Sequence, residues 1–269
     1  MIRLRNLAPE DRARLNVRPY PSRPEYVLLD PPGTTPSGYF RGTSDAYLEI
    51  PEAEAWQRFL AECYLPPSER RLLLLQPCSW AKPYDMSATL QPLAELCRRY
   101  PFVHRVVMSN VGLVPAELQM NPLFCAYDWA PPQGEDLDEV RRRYTLRTVP
   151  RIVDYVEQHL DHYAAVVLYS PTPAGGALLR ALRRIPRPLL TVPDDSSYAR
   201  IHAYPLRDPD DWARHPAALE HLRRVLERVE ERWAAVGLLS VRAREERPPP
   251  LPPEQMGRWQ FPPTEEATP

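Results

Sequence analysis

Four consecutive leucines, Leu72–Leu75, narrow what this chain can fold into more than any other stretch. A strand with one face in water alternates apolar and polar residues. An unbroken apolar run ended by Gln76-Pro77 is instead the pattern of a strand covered on both faces. Further strands are predicted at Val103–Met108, Ala165–Tyr169 and Pro188–Val192. Helical periodicity fills the stretches around them. Pro51-Glu52 opens a helix with Trp56, Phe59, Leu60 and Cys63 on one face, and Ser87 caps another running to about Arg99. Further helices are predicted over Leu137–Arg143, Val149–His162 and Ala174–Arg184, and an amphipathic one from Asp210 to Val236 with Leu219, Leu222, Leu226, Val229 and Trp233 aligned. Strand–helix alternation of this kind predicts an α/β fold: a mostly parallel, Rossmann-like three-layer sheet with helices on both faces.

The ends read differently. The chain carries 35 prolines against 9 glycines, and the prolines crowd both termini. Residues 1–25 are expected to form an extended arm, 26–240 a single α/β domain, and 241–269 a loosely ordered Pro-rich tail. A short strand, Tyr26–Leu29, is ended by the turn residues Asp30-Pro31-Pro32-Gly33, and a second strand pair is expected between Tyr39 and Ile50.

A net charge of −1 gives no global attraction to nucleic acid, so any polyanion must meet a local patch. Arg141, Arg142, Arg143, Arg147 and Arg151 form one such cluster and Arg180, Arg183, Arg184 and Arg187 another, although solvated helix faces are the usual explanation of such runs. The four cysteines have no C-x-x-C spacing, which argues against a zinc knuckle or redox pair. His159, His162, His202 and His215 read as surface residues, and neither a metal nor a cofactor is expected. No apolar stretch is long enough for a membrane span, so a cytoplasmic protein with reduced thiols is predicted.

In a parallel sheet the ligand site lies beyond the carboxyl ends of the strands. Those ends carry Cys78, Ser79 and Lys82, then Ser109 and Asn110, then Ser170 and Thr172, then Asp194, Asp195, Ser196 and Ser197. Lys and Arg together number 34, and Lys82 is the only lysine among them. An amine has a pKa that its surroundings can move, whereas a guanidinium stays charged. Cys78 precedes a loop leading to a helix, where positive potential favours the nucleophilic thiolate; a small buried hydrophobe is the equal alternative. Asp128, between Tyr127 and Trp129, suits either a general acid/base or a turn cap. Ser109-Asn110-Val111-Gly112 can offer donors to a base edge or close a tight turn.

The run Pro77-Cys78-Ser79-Trp80-Ala81-Lys82-Pro83-Tyr84-Asp85-Met86-Ser87 resembles the P-C-x-x-x-K-P-Y-x-x-S-x-x-H signature of the core domain of archaeosine synthase. Val106–Leu118 and Asn121-Pro122 through Tyr127-Asp128 look like that domain's second and third blocks. The resemblance implies an enzyme that adds a nucleophile to the nitrile of 7-cyano-7-deazaguanine in nucleic acid. It implies Cys78, Lys82 and Asp128 as catalytic residues and Ser79, Tyr84, Ser87, Ser109, Asn110 and Tyr127 as substrate-binding ones. Where the signature ends in His, this chain has Leu90. Water adding to give the amide on DNA is the favoured expectation. Addition of an amine (lysine) on tRNA, or a non-catalytic module that binds 7-deazaguanine nucleic acid, are the alternatives.

Overall fold

The leucine run becomes the middle of a sheet. The computed structural model describes residues 18–20, 23–28, 51–79, 83–109, 112–119, 137–171, 176–203, 206 and 209–239. Strands β1 (Arg18–Tyr20) and β2 (Arg23–Leu28) form an antiparallel hairpin. The larger sheet contains β3 (Leu72–Pro77), β4 (Val103–Ser109), β5 (Gly112–Pro115), β6 (Ala165–Tyr169) and β7 (Leu189–Val192), in the order β5-β4-β3-β6-β7. β3 pairs in parallel with β4 on one side and β6 on the other, β7 continues in parallel from β6, and β5 runs antiparallel at the β4 edge. Leu72–Leu75 are fully enclosed, as an interior strand with helices above and below requires.

The helices are α1 (Pro51–Glu62), α2 (Gln91–Arg98), α3 (Leu137–Gln158), α4 (Ala177–Leu182), α5 (Asp195–Ile201) and α6 (Pro216–Ala235). α1, α3 and α4 pack together on one face, while α2 and α5 pack against α6 on the other. Short 3₁₀ turns at Tyr84–Met86, Ala116–Leu118 and Pro209–Arg214 complete the layers. Trp56 and Gln57 of α1 close the β5 edge: the indole N–H donates to Leu113 O at 2.8 Å, and Leu113 N–H donates to Gln57 Oε1 at 3.1 Å. An edge strand covered by side chains in this way cannot recruit another chain.

Several expectations change. The helices predicted over 137–143 and 149–162 are one, running through Pro150. The proline removes a single helical hydrogen bond, and Ile152, Tyr155 and Val156, all buried, anchor the following turns. The helix expected from Asp210 is a 3₁₀ turn that breaks at His215, whose Nδ1 accepts from Ala217 N–H at 3.1 Å and caps α6 before Pro216. β5 and α5 were not anticipated. The expected extended arm, residues 1–25, includes β1, and the strand expected at Tyr26 starts at Arg23. His159 is no surface residue: it is buried, with Nδ1 2.9 Å from Tyr155 O and Nε2 3.0 Å from Tyr64 O. The strand pair expected between Tyr39 and Ile50 and the tail from 241 lie outside the described residues.

Gly112 opens β5 at φ +126°, where a side chain is strained, and a Cβ there would overlap the Gln57 carboxamide. Gly112→Ala is expected to cost about 1–3 kcal/mol from backbone strain alone, and more once Gln57 is displaced from Leu113. Gly237, at φ +73° with open space around it, is the control. Urea midpoints for the two alanine variants should differ, with Gly112→Ala lower; equal midpoints would mean that Gln57 yields freely.

Candidate active site at the carboxyl rim of the sheet

The chain enters the main sheet at β3, goes outward to β4 and β5, then returns to the other side of β3 for β6 and β7. The strand order therefore reverses between β3 and β6, and the crevice at such a reversal is where open α/β sheets take their ligands. β3 ends there in Pro77-Cys78-Ser79, flanked by Ser109 at the end of β4 and Ser170 after β6. Cys78 is half-buried against the core and Ser79 is buried.

A cavity of about 270 Å³ opens at this rim on the α3 side. Met108 and Ser109 come from β4, Leu168 and Ser170 from β6, and Thr145 and Thr148 from α3. Its walls are apolar with a few convergent hydroxyls, the make-up of a small-molecule site. Of the predicted site residues that are described, Ser109 lines this cavity; Cys78, Ser79, Tyr84 and Ser87 do not. The Ser109 hydroxyl donates to Gly112 O at 2.7 Å and thereby closes the turn between β4 and β5.

The described later part of the motif, Pro83–Ser87, is anchored from below. Tyr84 is fully buried, and the buried Ser87 hydroxyl donates to Tyr84 O at 2.9 Å and accepts from Leu90 N–H at 3.0 Å. Ser87 thus caps the turn leading into α2, whereas the sequence suggested it as the cap of the helix itself, which starts at Gln91. Leu90 packs in the core at the position of the signature's final His. Asp85 takes both ends of the Arg105 guanidinium, at 2.6 and 2.5 Å, and its backbone N–H donates to Gln119 Oε1 at 2.8 Å. Burial pushes the Asp85 carboxyl up, but the hydrogen bonds and charge of Arg105, with Gln119 and Arg98, reverse this and hold it below the usual carboxylate range. This fork ties the segment after Cys78 to β4. Cys97, close by in α2, is sealed in, and burial pushes its thiol up to about 12, so it is no competing nucleophile.

Lys82, Asn110, Tyr127, Asp128 and Thr172 lie outside the described residues. The polar group at the end of β7 serves the fold: Asp194 Oδ1 accepts from Ser197 N–H at 2.7 Å as the cap of α5. Parts of the arginine clusters are likewise engaged. Arg187 donates to Leu160 O and Tyr163 O just past the end of α3, and Arg151 meets Glu54 at 2.8 Å.

Sequence reading missed a polar network under the amino end of β4. His104 is completely buried, with Nδ1 2.5 Å from Tyr163 Oη and Nε2 3.1 Å from Glu117 Oε1. Tyr64 also donates to Glu117, the Tyr155 and Tyr163 hydroxyls are 2.7 Å apart, and Arg70 approaches Glu117 at 3.4 Å. Burial would raise the Glu117 carboxyl, but the charge and hydrogen bond of His104, with the charge of Arg70, hold it well below its usual range. Burial holds His104 below its own usual value against the opposing pull of Glu117. One signal was available: in Val103-His104-Arg105-Val106, two polar residues interrupt a strand otherwise buried on both faces.

The fold and the rim define an α/β protein with a ligand crevice at the switch point of its sheet. A family model described as "Domain of unknown function (DUF5591)" matches residues 53–167, from α1 into β6. The archaeosine synthase subunit alpha of Methanosarcina acetivorans is 34% identical over 107 residues, covering 39% of this chain and 17% of that protein. The subunit of the same name from Thermococcus kodakarensis is 39% identical over 147 residues, covering 51% of this chain and 25% of that protein. The chain thus carries an archaeosine-synthase-like domain, and it spans 25% or less of the length of these curated relatives. Among solved structures, that of AF0587, a protein of unknown function, aligns with 64% of this chain and 49% of its own at 17% identity and a TM-score of 0.39.

Proposed function

We propose that this domain converts the nitrile of a 7-cyano-7-deazaguanine base, carried in nucleic acid and in the first instance DNA, to the amide by adding water. The observation that carries the reading is the Pro77–Ser87 motif, set at the carboxyl end of the central strand where the sheet reverses its order. The base, flipped out if the substrate is duplex, enters at the rim, with Ser79, Ser109, Asn110 and Tyr127 holding it. Tyr84 and Ser87 fix the loop beneath. The Cys78 sulfur adds to the nitrile carbon while Lys82 or Asp128 gives a proton to the nitrile nitrogen, forming a thioimidate. Water then adds to the same carbon, and the thiolate leaves with the amide as product.

The names of the two relatives favour a second reading, in which an amine rather than water is the nucleophile and tRNA the polymer. Leu90, packed in the core in place of the signature His, favours a third, a module that binds such a base without changing it. Incubation with DNA and with tRNA containing 7-cyano-7-deazaguanine, followed by nucleoside mass analysis, separates them. A gain of one water on DNA is the expected result. A gain of the amine's mass on tRNA supports the second reading, and tight binding with unchanged mass the third. No conversion and no binding would overturn all three.

A further inference from the structure

Gln76 is the last but one residue of β3, directly before Pro77-Cys78, and its side chain is fully buried. Neither Nε2 nor Oε1 of its carboxamide has a hydrogen-bond partner. Buried amides without partners are rare in native proteins because desolvation goes uncompensated, so each one calls for a physical reason. The fold does not supply it. Leu72–Leu75 show that this strand takes leucine at four interior positions in succession, and an apolar residue at 76 would extend the run without orphaning two polar atoms.

Register places this amide. Gln76 pairs with Val107 on β4, and Val107 with Val114 on β5, so the three share one face. Leu74 pairs with Val167 on β6, which puts Tyr169, two residues on, on the Gln76 face as well. Tyr169 packs against Trp212 with the rings tilted by 36° and centroids 5.0 Å apart, and donates to Ala213 O at 2.7 Å. The orphaned carboxamide therefore stands in a layer walled by valines and an aromatic pair. The next residues, Pro77 and Cys78, are already partly exposed at the rim. A donor and an acceptor side by side on a rigid central strand match a planar group presenting an acceptor and a donor at the same spacing. A purine-type lactam does so through O6 and N1–H.

We infer that Gln76 reads the lactam edge of the base whose nitrile meets Cys78, its Nε2–H donating to O6 and its Oε1 accepting from N1–H. The inference rests on the functional reading above and adds the residue that sets base specificity. Gln76 is then a binding residue that leaves the chemistry to its neighbours. The unpaired amide is a stability deficit in the free protein that the ligand relieves.

The test uses the full chain and two probes, 7-cyano-7-deazaguanine and its N1-methyl derivative, whose lactam edge is blocked. Wild type should bind the first roughly ten- to a hundredfold more tightly than the second, the range of one good bidentate contact. Gln76→Leu and the near-isosteric Gln76→Met should bind the two probes equally and melt at or above the wild-type temperature. Variants that keep the wild-type preference would overturn the assignment. So would variants that melt lower, since the carboxamide would then be serving the fold. Wild type that binds neither probe would end the 7-deazaguanine reading itself, a different result from wild type and Gln76→Leu discriminating alike.

Discussion

Cys78→Ala is expected to lower nitrile conversion by on the order of 10³-fold or more, the usual consequence of removing a covalent nucleophile. The protein should stay folded, because Cys78 is only partly enclosed and its loss leaves a small gap at the rim rather than in the core. Cys78→Ser should fail almost as badly, since a hydroxyl is not ionised at neutral pH and is a far weaker nucleophile than a thiolate. Lys82→Arg makes the companion test: it preserves the charge but removes a dissociable proton, so a loss of roughly 10²–10⁴-fold identifies Lys82 as the acid. Mass measurement of the intact protein during turnover supplies an independent readout, because a thioimidate adds the mass of the whole nitrile-bearing substrate to the wild-type chain and not to Cys78→Ala. Turnover within a few fold of wild type in Cys78→Ala would reduce the thiol to a wall of the site.

What the sequence made legible follows from how each element is buried. Strands enclosed on both faces leave continuous apolar runs, and Ala165–Tyr169 was bounded to the residue. β5 spans four residues behind a glycine turn in a stretch rich in polar side chains, too short for a period to declare itself. α5 opens with Asp194-Asp195-Ser196-Ser197, polar residues that suit a site and a helix start equally; the contact from Ser197 N–H decides for the helix. Pro150 divided one helix into two on paper, because local propensity counts the lost hydrogen bond and cannot count the buried Ile152, Tyr155 and Val156.

The site was legible as a place more than as a set of contacts. Alternation alone located the carboxyl rim and brought Cys78, Ser79, Ser109 and Ser170 to neighbouring strand ends. It could not reveal that Ser109 spends its hydroxyl on Gly112. Such commitments depend on local geometry. Nor could it pair Tyr64 with Glu117 or Arg105 with Asp85, residues far apart in the chain that only the finished sheet brings together.

That last pair governs the other large expected effect. Arg105→Ala should cost about 2–4 kcal/mol, somewhat below the range for a fully enclosed pair because both side chains keep slight exposure. The loss has a distinctive pH dependence. In wild type the folded Asp85 carboxyl lies below its unfolded value, so its stabilisation is complete above about pH 4, where the unfolded group is ionised. It is lost as pH falls through the lower, folded value. In Arg105→Ala the same carboxylate stays enclosed without its main counter-charge. Burial then raises its pKa above the unfolded value, and the variant is penalised at neutral pH and relieved by protonation. Both effects act in one direction: the stability gap between the two proteins, read from urea unfolding at a series of pH values, should be widest near pH 7 and narrow below about pH 4. A gap independent of pH would assign the cost to lost packing of the arginine stem. Because the fork holds the segment that follows Cys78, the variant should also lose nitrile conversion beyond its loss of stability, and restoring its folded fraction by low temperature should leave that deficit in place.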